Sequence, residues 1–251
     1  MGVPIPIDHV DLEFDNGSFD SAAFAAHALG SWQALASVID HTLLKPDATR
    51  AHVESLCNEA VRYRFACAML NPVWAPTAVR MLSGTGIPVG SVLGFPFGAS
   101  LVSTLRQEAA SLARLGAREL DMVIPIGQLK SGNHHAVHRA IHAVATVAHQ
   151  RGVLLKVILE TALLTMEEKL RGAEIAIQAG ADFIKTSTGF ASGGATVADV
   201  ALMRGVAGGR CGIKASDGIR TLADVKAMLE AGANRIGASG SVAIVRELGA
   251  E

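Results

Sequence analysis

Short apolar, β-branched runs alternate along the chain with longer stretches in which apolar residues recur every three or four positions. The runs cover residues 38–44, 65–70, 89–95, 119–124, 154–160, 183–188, 211–215 and 235–238, and are read as eight strands. Between them, sets such as Val53, Leu56, Cys57, Ala60 and Val61, or Val225, Met228 and Leu229, place one face of a helix on a sheet. The predicted helix ends carry matching punctuation. Thr165 with Glu168 fits a capping box, Asp47 and Thr221 suit N-cap positions, and a Gly-Ala pair closes three helices, at Gly116, Gly180 and Gly232.

A strand, loop, helix and Gly-Ala turn recurring at this spacing is repeated βαβ construction. Eight such units in a chain of 251 residues suit a closed (β/α)8 TIM barrel, an α/β fold, with a doubly wound open sheet as the alternative. No Pro/Gly/Ser-rich linker or shift in composition marks a second domain. The reading is one barrel over residues 31–251, preceded by an arm at residues 1–30. The first 20 residues carry Asp8, Asp11, Glu13, Asp15 and Asp20 and no Lys or Arg, unlike a targeting signal, and suit a loose arm.

Composition narrows the function classes. Half of the residues are apolar and the formal charge is −1, which suits one large core and gives no general attraction to nucleic acid or an anionic membrane. No apolar stretch approaches the roughly 18–20 residues needed to span a bilayer. Trp32, Trp74 and Tyr63 are too scattered for a base-stacking platform and read as packing residues. Cys57, Cys67 and Cys211 are odd in number and lack metal-ligand spacing, so free thiols and a cytoplasmic setting are expected. The expected partner is a small molecule.

The barrel reading gives meaning to the polar residues near strand ends, because catalytic groups of such barrels cluster at the C-terminal face. Asp40, Thr42, Asp121, Lys156, Glu160, Lys185, Lys214 and Ser239 converge there. Charges inside apolar strands must neutralise one another or do chemistry. A lysine attacks a carbonyl only when unprotonated, and its ordinary pKa of about 10.4 forbids that at neutral pH unless burial or a second cation lowers it. Two lysines on adjacent strands supply that arrangement. One forms an iminium, and the positive nitrogen serves as electron sink while a base handles the β-hydroxyl proton, the logic of a class I aldolase. Lys185 precedes a crowded Thr-Ser-Thr-Gly turn and Lys214 a flexible Ser-Asp-Gly turn. Lys185 is assigned as the Schiff-base former, although spacing alone hardly separates the two. Glycine-bearing loops at 216–220 and 237–241, with Thr188-Gly189 after strand six, suit a phosphate.

These segments resemble the deoxyribose-phosphate aldolases. The matching stretches are Ile39-Asp40-His41-Thr42-Leu43-Leu44-Lys45-Pro46, Val92-Leu93-Gly94-Phe95-Pro96, Glu119-Leu120-Asp121-Met122-Val123-Ile124, Leu155-Lys156-Val157-Ile158-Leu159-Glu160-Thr161, and residues 183–190 and 212–221, in order across nearly the whole barrel. The resemblance implies retro-aldol cleavage of 2-deoxy-D-ribose 5-phosphate to acetaldehyde and D-glyceraldehyde 3-phosphate without metal or organic cofactor. It implies that Lys185 forms the Schiff base, Lys214 tunes it and Asp121 serves proton transfer through water. Asp40 and Thr42 would contact substrate hydroxyls, and Gly189, Gly218, Gly237 and Ser239 would hold the phosphate; Lys156, as an inward strand charge, and Thr188, from its loop after strand six, are read as substrate-binding with them. A homodimer is compatible with such a barrel, although no seam is visible in the sequence.

The chain also departs from the family pattern. Met69 stands where members commonly carry a cysteine, with Cys67 offset by two, so greater tolerance of aldehydes is expected. Phe190 replaces a phosphate-facing lysine of some members, Asp217 a common glycine and Pro125 a common asparagine, and the tyrosine-bearing tail of some members is missing. Activity on unphosphorylated 2-deoxyribose is therefore expected. His134, His138 and His142 share a helix face but read as solvated, and His41 should face the helix layer. Two rival functions remain: a sugar-phosphate-binding barrel without catalysis, and another lysine aldolase or transaldolase using a ketone donor.

Overall fold

A computed structural model describes residues 19–251. Two short helices, α1 (Ser21–Ala28) and α2 (Trp32–Ala36), precede the barrel. The first half then runs β1 (Ile39–Leu43), α3 (Arg50–Tyr63), β2 (Cys67–Leu70), α4 (Ala75–Met81), β3 (Val89–Leu93), α5 (Val102–Leu115) and β4 (Glu119–Val123). The second half runs α6 (Ile126–Lys130), α7 (His134–His149), β5 (Leu154–Ile158), α8 (Met166–Gln178), β6 (Phe183–Lys185), α9 (Val197–Ala207), β7 (Gly212–Ser216), α10 (Leu222–Glu230), β8 (Arg235–Ala238) and α11 (Ser241–Glu247). All eight strands are parallel, each pairs with the next, and β8 closes on β1. The fold is a TIM barrel.

Strand alternation sets the inner wall. Register pairs Asp40 with Cys67 and Gly237, Asp121 with Lys156, and Lys185 with Lys214, so these side chains share the inner face. The outward residues, such as Ile39, Ala68, Leu120, Leu155, Ile184, Ile213 and Ile236, are buried under the helix ring. Most of the apolar core therefore lies between barrel and helices, which leaves the interior open to charge. His41 points outward as predicted. Its Nε2 lies 2.8 Å from Glu59 Oε2 on α3, and its ring packs on Phe65. Burial lowers its pKa against the opposing pull of Glu59.

Several local predictions hold. Thr165–Glu168 and Thr221–Asp224 form capping boxes. Gly116, Gly180 and Gly232 take left-handed conformations with φ of 105°, 97° and 115°, so the missing Cβ is what lets each helix turn into the next strand.

Others need correction. Asp47 does not cap a helix: α3 starts at Arg50, and Thr49 caps it with His52 reciprocating. Val61 is 41% exposed, since it is turned about 80° from Val53 and falls at the edge of the buried stripe, which Tyr63 completes instead. The strands expected over 154–160 and 183–188 stop at Ile158 and Lys185. Beyond those ends Glu160 turns left-handed, while single backbone bonds still run from Leu159 N to the Lys185 carbonyl and from Thr186 N to the Lys214 carbonyl. Within the span read as an arm, α1 packs against α10 and buries Phe24, Ala25 and Ala28. Residues 1–18, with the acidic run at Asp8, Asp11, Glu13 and Asp15, lie outside the described residues. No described helix is long and apolar enough to cross a membrane.

Candidate active site

The barrel interior holds a cluster of seven charged side chains. Asp121, on β4, is its centre: Oδ2 accepts from both Lys185 Nζ and Lys214 Nζ at 2.8 Å, and Oδ1 from Lys156 Nζ at 2.9 Å. Asp40, on β1, takes Lys214 Nζ at 2.5 Å on one oxygen and Arg235 at 2.7 Å on the other. Glu119 lies 2.5 Å from Lys156 Nζ and 3.3 Å from Arg235. Four cations thus face three carboxylates, an excess of one positive charge in a space almost closed to water. Release of one proton neutralises it.

The three lysines are not equivalent. Lys156 lies within 3.6 Å of three carboxylates, and although burial acts to lower its pKa, Asp121, Glu119 and Asp40 hold it well above the usual lysine range. Lys214 sits between two carboxylates. Lys185 has Asp121 alone, and burial, reinforced by Lys214, pushes its pKa down to about 8 against the pull of Asp121. Lys185 is the group that can most readily supply the neutralising proton loss, and it keeps a trace of exposure toward the mouth, with 3% of its side chain accessible. Burial also acts to raise the Asp121 and Asp40 carboxyls, but the surrounding cations outweigh it and hold both well below the usual carboxylate range.

The remaining predicted site residues fall into four places. Lys156 and Asp40 are fully buried within the ion cluster, and half-buried Thr42 donates its hydroxyl to the Asp40 carbonyl. Gly189, Gly218 and Ser239 are exposed in the loops after β6, β7 and β8. Gly237 lies deeper, where a Cβ would come within 3.0 Å of Lys214 Cε, so its lack of a side chain makes room for that amine. Thr188 is engaged elsewhere: its N–H and hydroxyl both donate to Glu160, and its oxygen accepts from Phe190 N at 3.0 Å. The expectation that Thr188 adds donors for a phosphate does not fit this arrangement, because a buried carboxylate holds both. His138 and His142 stack at 5.8 Å on α7, away from the cluster.

Arg235 and Glu119 are the residues sequence reasoning missed. Each begins a strand, two positions before an inward residue, Gly237 and Asp121, so the alternation alone points them inward. Asp40, Cys67 and Glu119 place ligand atoms within 4.8 Å of one another, as a metal site would. Here Lys214, Arg235 and Lys156 already occupy those carboxylates, and burial, reinforced by Glu119 and Asp40, pushes the Cys67 thiol well above its usual range. The donor set is filled by protein cations.

A buried amine with a lowered pKa, beside a second lysine and a carboxylate, is equipped for imine chemistry on a carbonyl substrate. The comparisons agree with that equipment. Residues 34–247 match the DeoC/LacD family aldolase domain. The deoxyribose-phosphate aldolase of Thermoanaerobacter sp. (strain X514) is 51% identical over 214 residues, 85% of this chain and 96% of the relative. That of Geobacillus sp. (strain WCH70) is 51% identical over 84% of this chain and 94% of the relative. The structure of the tetrameric deoxyribose phosphate aldolase from Aeropyrum pernix superposes with a TM-score of 0.84 at 35% identity, covering 91% of this chain and 96% of that one. With a matched domain that spans the whole barrel and relatives at half identity, the chain belongs to the deoxyribose-phosphate aldolases of the DeoC/LacD family.

Proposed function

We infer that the protein cleaves 2-deoxy-D-ribose 5-phosphate reversibly to acetaldehyde and D-glyceraldehyde 3-phosphate, with Lys185 as the nucleophile. The observation that carries this assignment is the asymmetry of the lysines: Lys185 has one carboxylate and a pKa near 8, whereas Lys214 has two carboxylates.

In the proposed cycle, neutral Lys185 Nζ attacks C1 of the open-chain sugar, and loss of water from the carbinolamine leaves an iminium. A base removes the C3 hydroxyl proton, the C2–C3 bond breaks, and its electron pair flows into the iminium to give an enamine and the three-carbon aldehyde. Protonation at C2 and hydrolysis release acetaldehyde and restore Lys185. Asp121 bonds both lysines, so it is placed to pass these protons through water. Lys214 lies beside Lys185 and acts to lower its pKa. Asp40 acts through Lys214, and Thr42 lies two residues on along the same wall. The phosphate end is assigned to the loops of Gly189, Gly218 and Ser239, above Gly237.

Three free cysteines suit a cytoplasmic enzyme, and a homodimer is compatible with such a barrel, which light scattering tests. Borohydride reduction in the presence of acetaldehyde, followed by peptide mass spectrometry, tests the mechanism. A two-carbon adduct on Lys185 is expected. An adduct on Lys214 reverses the two roles, and no adduct on folded protein leaves a binding barrel.

A further inference from the structure

Asp217 follows β7 directly, three residues after Lys214, and holds a left-handed backbone with φ of 70°. Among the described residues only Arg64 and Glu160 share that departure outside glycine. Strain of this kind persists where the surroundings enforce it. Here the loop after β6 does so, since Ala195 N donates to the Asp217 carbonyl at 3.0 Å. The carboxylate reaches across to the same loop. A Cβ built on Gly189 would lie 3.7 Å from Asp217 Oδ1, and one on Gly194 would lie 3.0 Å from Oδ2.

Gly189 and Gly218 are two of the residues assigned to the phosphate end, so the carboxylate sits beside the anion it would have to tolerate. Glu160, buried behind the loop, takes both donors of Thr188. Phe190, 49% exposed, packs edge-on against Phe95 at 5.3 Å and offers no donor beyond its backbone. The nearby cation Arg220 exerts its charge on Asp224, at the start of α10. Lys156, Lys214 and Arg235 are consumed inside the barrel.

We propose that Asp217 is a specificity-determining residue that opposes the phosphate dianion and accepts a hydrogen bond from a neutral terminal hydroxyl, making unphosphorylated 2-deoxyribose a second substrate. The inference rests on the aldol reading of Lys185, since only the far end of the sugar changes. A carboxylate and a dianion separated by several ångströms at the protein surface repel strongly enough to change binding about tenfold. Their repulsion weakens as salt shortens the screening length.

The experiment measures kcat/KM on both sugars for the wild type and Asp217→Asn, at low and high ionic strength. Asn tolerates the left-handed backbone and removes only the charge. The wild type is expected to cleave both sugars. Asp217→Asn should raise kcat/KM for the phosphate ester about tenfold through KM, without a rise for the neutral sugar. Added salt should favour the phosphate ester in the wild type more than in the variant. A specificity ratio that stays within about twofold in Asp217→Asn, or a wild type inactive on the neutral sugar while it cleaves the ester, overturns the proposal and leaves the aldolase intact. Failure on both sugars, with no borohydride adduct, removes the aldol reading itself. Asp217→Gly, which relieves the strain as well as the charge, should repeat the Asn result and guards against a local effect of the amide.

Discussion

The foot and the head of the ion cluster use the same chemical groups to opposite ends. At the foot, Arg235 and Glu119 begin their strands, Lys156 is wrapped by three carboxylates, and every charge is matched. At the head, Lys185 shares one oxygen of Asp121 with Lys214 and carries the surplus positive charge. Both lysines are buried, so burial cannot explain the difference. The number of carboxylates does: three overcome the desolvation of Lys156, and one shared oxygen fails to overcome that of Lys185. A reactive amine arises here by withholding compensation at one position of an otherwise compensated network.

The largest break in this comparison is Lys185→Met. Loss of the nucleophile should lower kcat by at least about 10⁴-fold. The folded state should not suffer. The folded pKa of Lys185 is depressed, so its favourable linkage is present above about pH 10.5 and is lost as pH falls through about 8. Below pH 8 the native protein holds a charge it disfavours, at a cost on the order of 3 kcal/mol. Lys185→Met should therefore match or exceed the wild type in urea midpoint at pH 7, and the advantage should shrink at pH 10. A large loss of stability at pH 7 would refute the surplus-charge account.

Glu119→Gln attacks the foot. It leaves Lys156 and Arg235 short of a counter-charge in a dry interior, and breaking such a pair costs about 3–5 kcal/mol. Chemical denaturation reads this loss directly. The opposite signs of Glu119→Gln and Lys185→Met at pH 7 are the sharpest form of the comparison. If both destabilise equally, the cluster is a uniform network and the foot and head are not distinct.

A smaller effect tests the tuning of the head. The rate constant kcat/KM should rise with pH through about 8, because the neutral amine attacks. Lys214→Met removes the neighbouring cation that, after burial, lowers Lys185, so the midpoint should move up by about one unit and activity at pH 7 should fall about tenfold from this cause. An unchanged midpoint would mean that burial alone sets the Lys185 pKa.

The head was more legible than the foot. Apolar runs and Gly-Ala turns marked the eight units, and Asp121, Lys185 and Lys214 at the head, with Lys156 alone of the foot, stood out as charges within apolar strands. Arg235 and Glu119 stand at strand starts, where a charge usually meets solvent. Their partners lie 195 and 116 residues away along the chain, so only closure of β8 on β1 and the inward alternation bring them to Asp40 and to each other. The capture of Thr188 by Glu160 was also illegible, since it depends on a left-handed glutamate that local propensity does not foretell.

The smallest effect concerns the apolar side of the mouth, where Met69 packs with Leu44, Val92 and Phe95. Gly90 leaves the space that Met69 fills, and Cys67 lies one layer deeper on the same face. Burial, with Glu119 and Asp40 nearby, keeps the Cys67 thiol protonated, so it is a poor nucleophile for electrophiles formed from acetaldehyde. Met69→Cys would bring a thiol one layer toward the mouth and away from those carboxylates. Prolonged incubation in acetaldehyde should inactivate this variant several-fold faster than the wild type, with a mass adduct on residue 69. The truncation itself should cost about 1–2 kcal/mol by opening a small cavity, so residual activity is compared with a Met69→Ala control that carries a larger cavity and no thiol. Equal loss in Met69→Cys and Met69→Ala assigns the effect to packing. Rapid loss in the wild type with an adduct on Cys67 shows that the foot of the barrel is reached by substrate-sized molecules, and the separation of a sealed foot from an open head then fails.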